Sequence, residues 1–152
     1  YPNLQNDMWR IMGYIFFNDK EYFLNPDKKS FNKEQIISFL IDKGIALYDT
    51  ASAVRRLQDN ASDKFLDIVE PTDVELLLKQ LPNCKSVVTT GQKATDTLCD
   101  LFSIKQPSIG GYTEFEFDDR KLHLYRMPSS SRAYPMKVEK KADFYKLIFN
   151  DL

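Results

Sequence analysis

Ser86-Val87-Val88-Thr89-Thr90-Gly91-Gln92-Lys93 is the stretch whose reading decides the fold. Five residues rich in β-branched side chains make a buried-strand pattern, and Gly91 then leads into a helix reaching Phe102. Working outward, the same alternation recurs. Asn32 caps a helix, with Gln35 in the capping-box position and Ile36, Ile37, Phe39, Leu40 and Ile41 behind it. Gly44 ends that helix, and Ile45-Ala46-Leu47-Tyr48 reads as a short apolar strand. Upstream, Met8, Trp9, Ile11, Met12, Ile15 and Phe16 repeat at helical spacing over residues 6–17. Thr72 and Glu75 form a second capping box, opening a helix over residues 74–81. Downstream, residues 103–112 are loop, and residues 113–117 and 121–126 form a hairpin about Asp118-Asp119. A basic helical segment closes the pattern at Phe149. Helices alternating with short apolar strands predict an α/β fold, a three-layer sandwich with a central, mainly parallel sheet and helices on both faces.

The bulk composition narrows the class. At 152 residues, 43% hydrophobic and 28% charged, the chain is expected to be a single globular domain, residues 1–152, with a sizeable core. It has no run of 18 apolar residues, so no membrane span is expected. The opening Tyr1-Pro2-Asn3 has neither a basic nor an apolar leader, so no secretory signal is expected. Cys84 and Cys99 lack ligand spacing with His123, the sole histidine. Neither a disulfide framework nor a metal site is expected, no cofactor is indicated, and the expected location is the cytoplasm. The net charge of −1 argues against a protein that coats nucleic acid. A local patch is nonetheless present: residues 126–146 hold six basic side chains (Arg126, Arg132, Lys137, Lys140, Lys141, Lys146) against Glu139 and Asp143. A solvated helix face is the alternative reading of that run.

In α/β sheets, ligands bind at the carboxyl ends of strands. Those ends are Asp49-Thr50, then residues 89–93, then Met127-Pro128-Ser129-Ser130-Ser131-Arg132. In the last, Pro128 stops a strand, and three hydroxyl residues and an arginine follow. Hydroxyls and backbone N–H groups at a helix entrance bind anionic oxygens, and Arg does so bidentately. An ordinary strand-to-helix turn is the competing reading. A cleft with one carboxylate, several hydroxyls and a basic rim fits a nucleotide, or a nucleic-acid base with its phosphates.

Four stretches, in order and spacing, carry a resemblance: residues 1–10 (Tyr1-Pro2-Asn3-Leu4-Gln5-Asn6-Asp7-Met8-Trp9-Arg10), Gly44-Ile45-Ala46-Leu47-Tyr48-Asp49, residues 87–93 and residues 127–132. The chain resembles the uracil-DNA glycosylase superfamily, closest to the branch of mismatch-specific uracil and deoxyinosine (hypoxanthine) DNA glycosylases. The resemblance implies a cofactor-free, monomeric DNA-repair enzyme. Such an enzyme hydrolyses the N-glycosidic bond of a deaminated or mismatched base flipped out of DNA. It also implies roles for particular residues. Asn6 matches an asparagine implicated in catalysis, against the alternative that Asn6 or Asn3 merely caps the first helix. Asp49 falls where some members read the base with Asn; Thr50 and Met127 complete the base-binding group. An Asx turn is the other reading of Asp49. Ser129, Ser130, Ser131 and Arg132 match the loop that grips the DNA strand, and Lys93 joins them as a DNA contact. Members with a catalytic histidine carry it where Met127 stands, so an imidazole electrophile is not expected there. His123 reads as structural, Trp9 as core, and Tyr134 as either a gap-filling or a surface residue. The superfamily's first motif belongs upstream of the Tyr1 segment, so the expectation is a domain lacking its N-terminal strand and first motif. Two rival functions stay open: a catalytically silent DNA-binding member of the same fold, and a small-molecule nucleotide-binding α/β domain.

Overall fold

The computed structural model describes residues 4–48, 51–56, 66–71 and 73–149, with backbone alone for 51–56 and 66–71. The chain divides into two units, Tyr1–Leu47 with Ser130–Leu152, and Tyr48–Ser129.

The first unit is helical. It holds α1 (Met8–Phe17), α2 (Lys33–Lys43) and α5 (Val138–Phe149). Helix α1 forms where the sequence predicts it and buries Met8, Trp9, Ile11 and Met12 on one stripe. Asn32 caps α2 by accepting the Gln35 N–H at 3.2 Å, and Gly44 ends it in a left-handed conformation (φ 67°). Aromatic edges lock the interior: Phe16 meets Phe39 and Phe149 at 5.1 and 4.9 Å, and Phe23 meets Phe39 at 5.2 Å. Gly13 is a tight point, since a Cβ there would run into the Asp19 carbonyl oxygen of the turn that follows α1. Gly13→Ala is therefore expected to cost about 1–3 kcal/mol, the range for overpacking, read as a lower midpoint in urea unfolding.

The second unit is mixed α/β. Strands β3 (Ser86–Thr90), β4 (Tyr112–Phe117) and β5 (Arg120–Met127) form a sheet of order β3-β5-β4. The β3–β5 pairing is parallel and the β4–β5 pairing antiparallel. The sequence pattern predicts a mainly parallel sheet; these strands divide evenly between the two kinds of pairing. Asp118 and Asp119 both take positive φ (54° and 65°), the geometry of a two-residue hairpin turn whose twist suits its strands. Helices α3 (Val74–Gln80) and α4 (Gln92–Phe102) bring Leu78, Leu98 and Cys99 onto Phe115, Leu122 and Leu124. Residues 122 and 124 face those helices, and Tyr125 and Met127, of opposite parity, are buried on the other side of the same strand.

A hairpin of β1 (Ala51–Arg56) and β2 (Leu66–Pro71) precedes α3 and was not anticipated from the sequence. Two local expectations are corrected. Residues 45–48 form no strand, although Ile45 and Leu47 suggest one. Helix α3 is capped by Asp73, whose carboxylate accepts the Leu76 N–H at 3.0 Å, one residue later than the sequence suggests; Thr72 lies outside the described residues. Strand β3 is also less enclosed than a buried-strand pattern implies, since only Thr89 in it is fully buried.

Candidate functional site

Residues 4–7 lead into α1, and their geometry is set by Arg10, one helical turn on. Its guanidinium donates to the Leu4 carbonyl (2.9 Å), the Asn6 carbonyl (3.3 Å) and the Asp7 carboxylate (3.0 Å). Asn6 accepts the Met8 N–H on Oδ1 at 2.9 Å, satisfying a free donor of the first turn. The N-cap position itself is Asp7, so Asn6 satisfies this N–H from one residue before the cap. Among the described residues its amide NH2 makes no hydrogen bond, and a donor of this kind can serve a further partner.

Asn6 also pairs with the serine loop. It forms an isolated antiparallel bridge to Ser131, flanked by Asp7 N–H to Ser130 carbonyl at 2.6 Å and Arg132 N–H to Gln5 carbonyl at 2.8 Å. Two stretches 125 positions apart are therefore joined backbone to backbone. Ser130 is buried, Ser131 half-buried, and the Ser131 hydroxyl accepts the Ala133 N–H at 3.2 Å.

The charges around this junction are unequal. Asp7 pairs with Arg10 (3.0 Å), Lys141 (3.3 Å) and Arg132 (3.7 Å), so three cations share one carboxylate. Lys141 has no exposed side-chain surface; its ammonium also donates to the Ser131 carbonyl at 2.9 Å and lies 5.8 Å from the centre of the Tyr134 ring. Burial pushes its pKa below the usual 10.5, against the upward pull of Asp7 and with help from Arg132. Arg132, by contrast, keeps 53% of its side chain exposed. Its approach to Asp7 is through Nε, at 3.7 Å. The result is an edge with surplus positive charge and one exposed arginine, while the Asp7, Arg132 and Ala133 amides are spent on bonds within the junction. Such an edge can hold an anionic oxygen.

The remaining candidates fall differently. Asp49 and Thr50 lie outside the described residues. Met127, expected against a base, is completely buried and offers a ligand no side-chain surface; its carbonyl accepts the Gly91 N–H at 3.1 Å. Lys93, in the first turn of α4, and Ser129 are half-buried. Thr89 is buried and shares a 2.9 Å hydrogen bond with Thr95, so this strand end spends its hydroxyl internally. Gly91 makes the β3-to-α4 turn at φ 92°, a conformation that only glycine adopts without strain. His123 pairs with Glu114 across the hairpin (3.1 Å), which fits the structural reading. Trp9 is core, as expected.

The basic run over residues 126–146 is not one patch. Lys141 is buried, and Arg126 donates to the Pro107 carbonyl (3.2 Å) and to Gln92 (2.6 Å). Asp7, Arg10 and Lys141 were the members of the site that the sequence reading passed over. A signal existed for Lys141: it repeats with Tyr145 and Ile148 at buried helical spacing, where a lysine needs a partner.

Among the described residues no helix is long and apolar enough to cross a membrane, and no group of three or more His, Cys, Asp or Glu is placed to hold a metal ion. No family model matches the chain, and no curated protein or solved structure matches it either.

Proposed function

We propose that the chain is a DNA-repair glycosylase that hydrolyses the N-glycosidic bond of a deaminated or mismatched base, uracil or hypoxanthine, flipped out of DNA. The observation that carries this reading is the Asn6–Ser131 bridge. The two stretches that the superfamily resemblance assigns to catalysis and to strand gripping are brought together by direct backbone pairing. The exposed Arg132 beside them suits a phosphate oxygen.

In this reading the departing base gathers negative charge, and donors aimed at it lower the barrier. Asn6 has committed its oxygen to the Met8 N–H, so its contribution is the amide NH2, donated to the base or to the attacking water. By the resemblance, Asp49 and Thr50 would read the base, and residues 129–132 would hold the strand. The fold would be the three-layer sandwich of that superfamily, and the burial of β5 on both faces agrees with it. The enzyme would work as a cytoplasmic monomer.

The test is incubation with labelled duplexes holding one uracil or one hypoxanthine, followed by alkaline cleavage at abasic sites. A cut strand is expected with at least one of them. A second reading, a silent member that only binds DNA, draws on the enclosure of Met127 and the structural use of Asn6 Oδ1. Salt-dependent duplex binding with no cut from either base would select it.

A further inference from the structure

We propose that Lys141 is a positioning residue, whose buried ammonium holds the Asn6 segment and the serine loop in the single arrangement that presents Arg132. The proposal rests on the reading above only for what Arg132 grips. Helix α5 supplies the lysine, the loop supplies the Ser131 carbonyl (2.9 Å), and the N-terminal segment supplies the Asp7 carboxylate (3.3 Å). One cation thus ties three pieces of chain that share no continuous strand or helix. Asp7 in turn meets Arg132, so the position of the exposed guanidinium depends on the lysine beneath it. A lysine is costly to bury, and here the cost is offset by fixing this junction rather than by filling a core.

The test measures amide hydrogen exchange in wild type and Lys141→Met. The reporters are the Asp7 and Arg132 amides, which carry the inter-segment bonds, and the controls are Ile36 and His123, bonded elsewhere. Exchange at both reporters is expected to quicken about tenfold while the controls stay unchanged, the signature of local opening. Uniform quickening, or none, would overturn the proposal. Should Lys141→Met fail to fold, Asp7→Asn is judged by the same criterion. Affinity for a short duplex is the second readout: Lys141→Met and Arg132→Ala should each weaken it about tenfold, and the double variant no further, because one residue acts through the other. Additive losses would overturn the link to Arg132. If wild type binds no duplex, the DNA reading fails, while the exchange comparison still decides whether Lys141 positions the junction.

Discussion

Asp7→Ala is expected to remove about 3–5 kcal/mol of folding stability, the usual cost of breaking a buried ion pair from one side. The substitution leaves Lys141 buried with the Ser131 carbonyl as its remaining oxygen partner, and leaves Arg10 and Arg132 without the carboxylate that balances them. The pH dependence has a definite sign. Burial already holds the Lys141 pKa below 10.5, and loss of Asp7 lowers it further. Between that depressed value and 10.5 the unfolded chain binds more protons than the folded one, so stability contributed at this site rises with pH through the window. The deficit of Asp7→Ala relative to wild type should therefore narrow between neutral pH and about pH 10, near the titration of free lysine. Urea unfolding at the two pH values measures it. A second check is the pairing itself: adding Lys141→Met to Asp7→Ala should recover part of the loss, since no unpaired cation is then buried. A deficit below about 1 kcal/mol, the scale of a surface pair, would mean that the junction is held by its backbone bonds alone.

That junction shows where the sequence could be read and where it could not. Local signals were reliable when a few neighbouring residues determined the outcome. Asn32 with Gln35 and Gly44 set both ends of α2, the β-branched run at residues 86–90 became β3, and Asp118-Asp119 made the hairpin turn. Adjacent signals of equal strength were harder: Thr72 and Asp73 both suit a cap by residue type, and the Asp73 carboxylate is the one seen to accept the Leu76 N–H. Residues 45–48 are apolar enough for a strand but find no pairing partner among the described residues, and pairing is what makes a strand. The β1–β2 hairpin was missed because little in residues 51–56 alternates by hydropathy. The candidate site divides the same way. Its hydroxyl loop and Asn6 were visible as composition. Its electrostatics were not, because Lys141 and Asp7 meet across 134 positions of sequence. A lysine in a basic run reads as solvated until the carboxylate that accepts it is known.

Asn6→Ala is expected to lower base release more than tenfold while duplex affinity changes little, the pattern of a group that acts on the reaction rather than on the binding of DNA. The variant also removes the acceptor of the Met8 N–H, so a stability loss of about 1 kcal/mol should accompany it. Asn6→Asp separates the two effects. Aspartate keeps an oxygen for the Met8 N–H and suits the positive end of the α1 dipole, so stability should hold. It lacks the NH2, however, and places a negative charge where the departing base becomes negative, so base release should fall at least as far as in Asn6→Ala. Single-turnover release from the better of the uracil and hypoxanthine duplexes, measured beside urea unfolding, gives both quantities. Loss of release in both variants with loss of stability only in Asn6→Ala would put the amide donor in the mechanism. Full release in Asn6→Asp would leave Asn6 as the acceptor for the first N–H of α1, and the donor to the departing base would have to be sought at the Thr50 hydroxyl or along the serine loop.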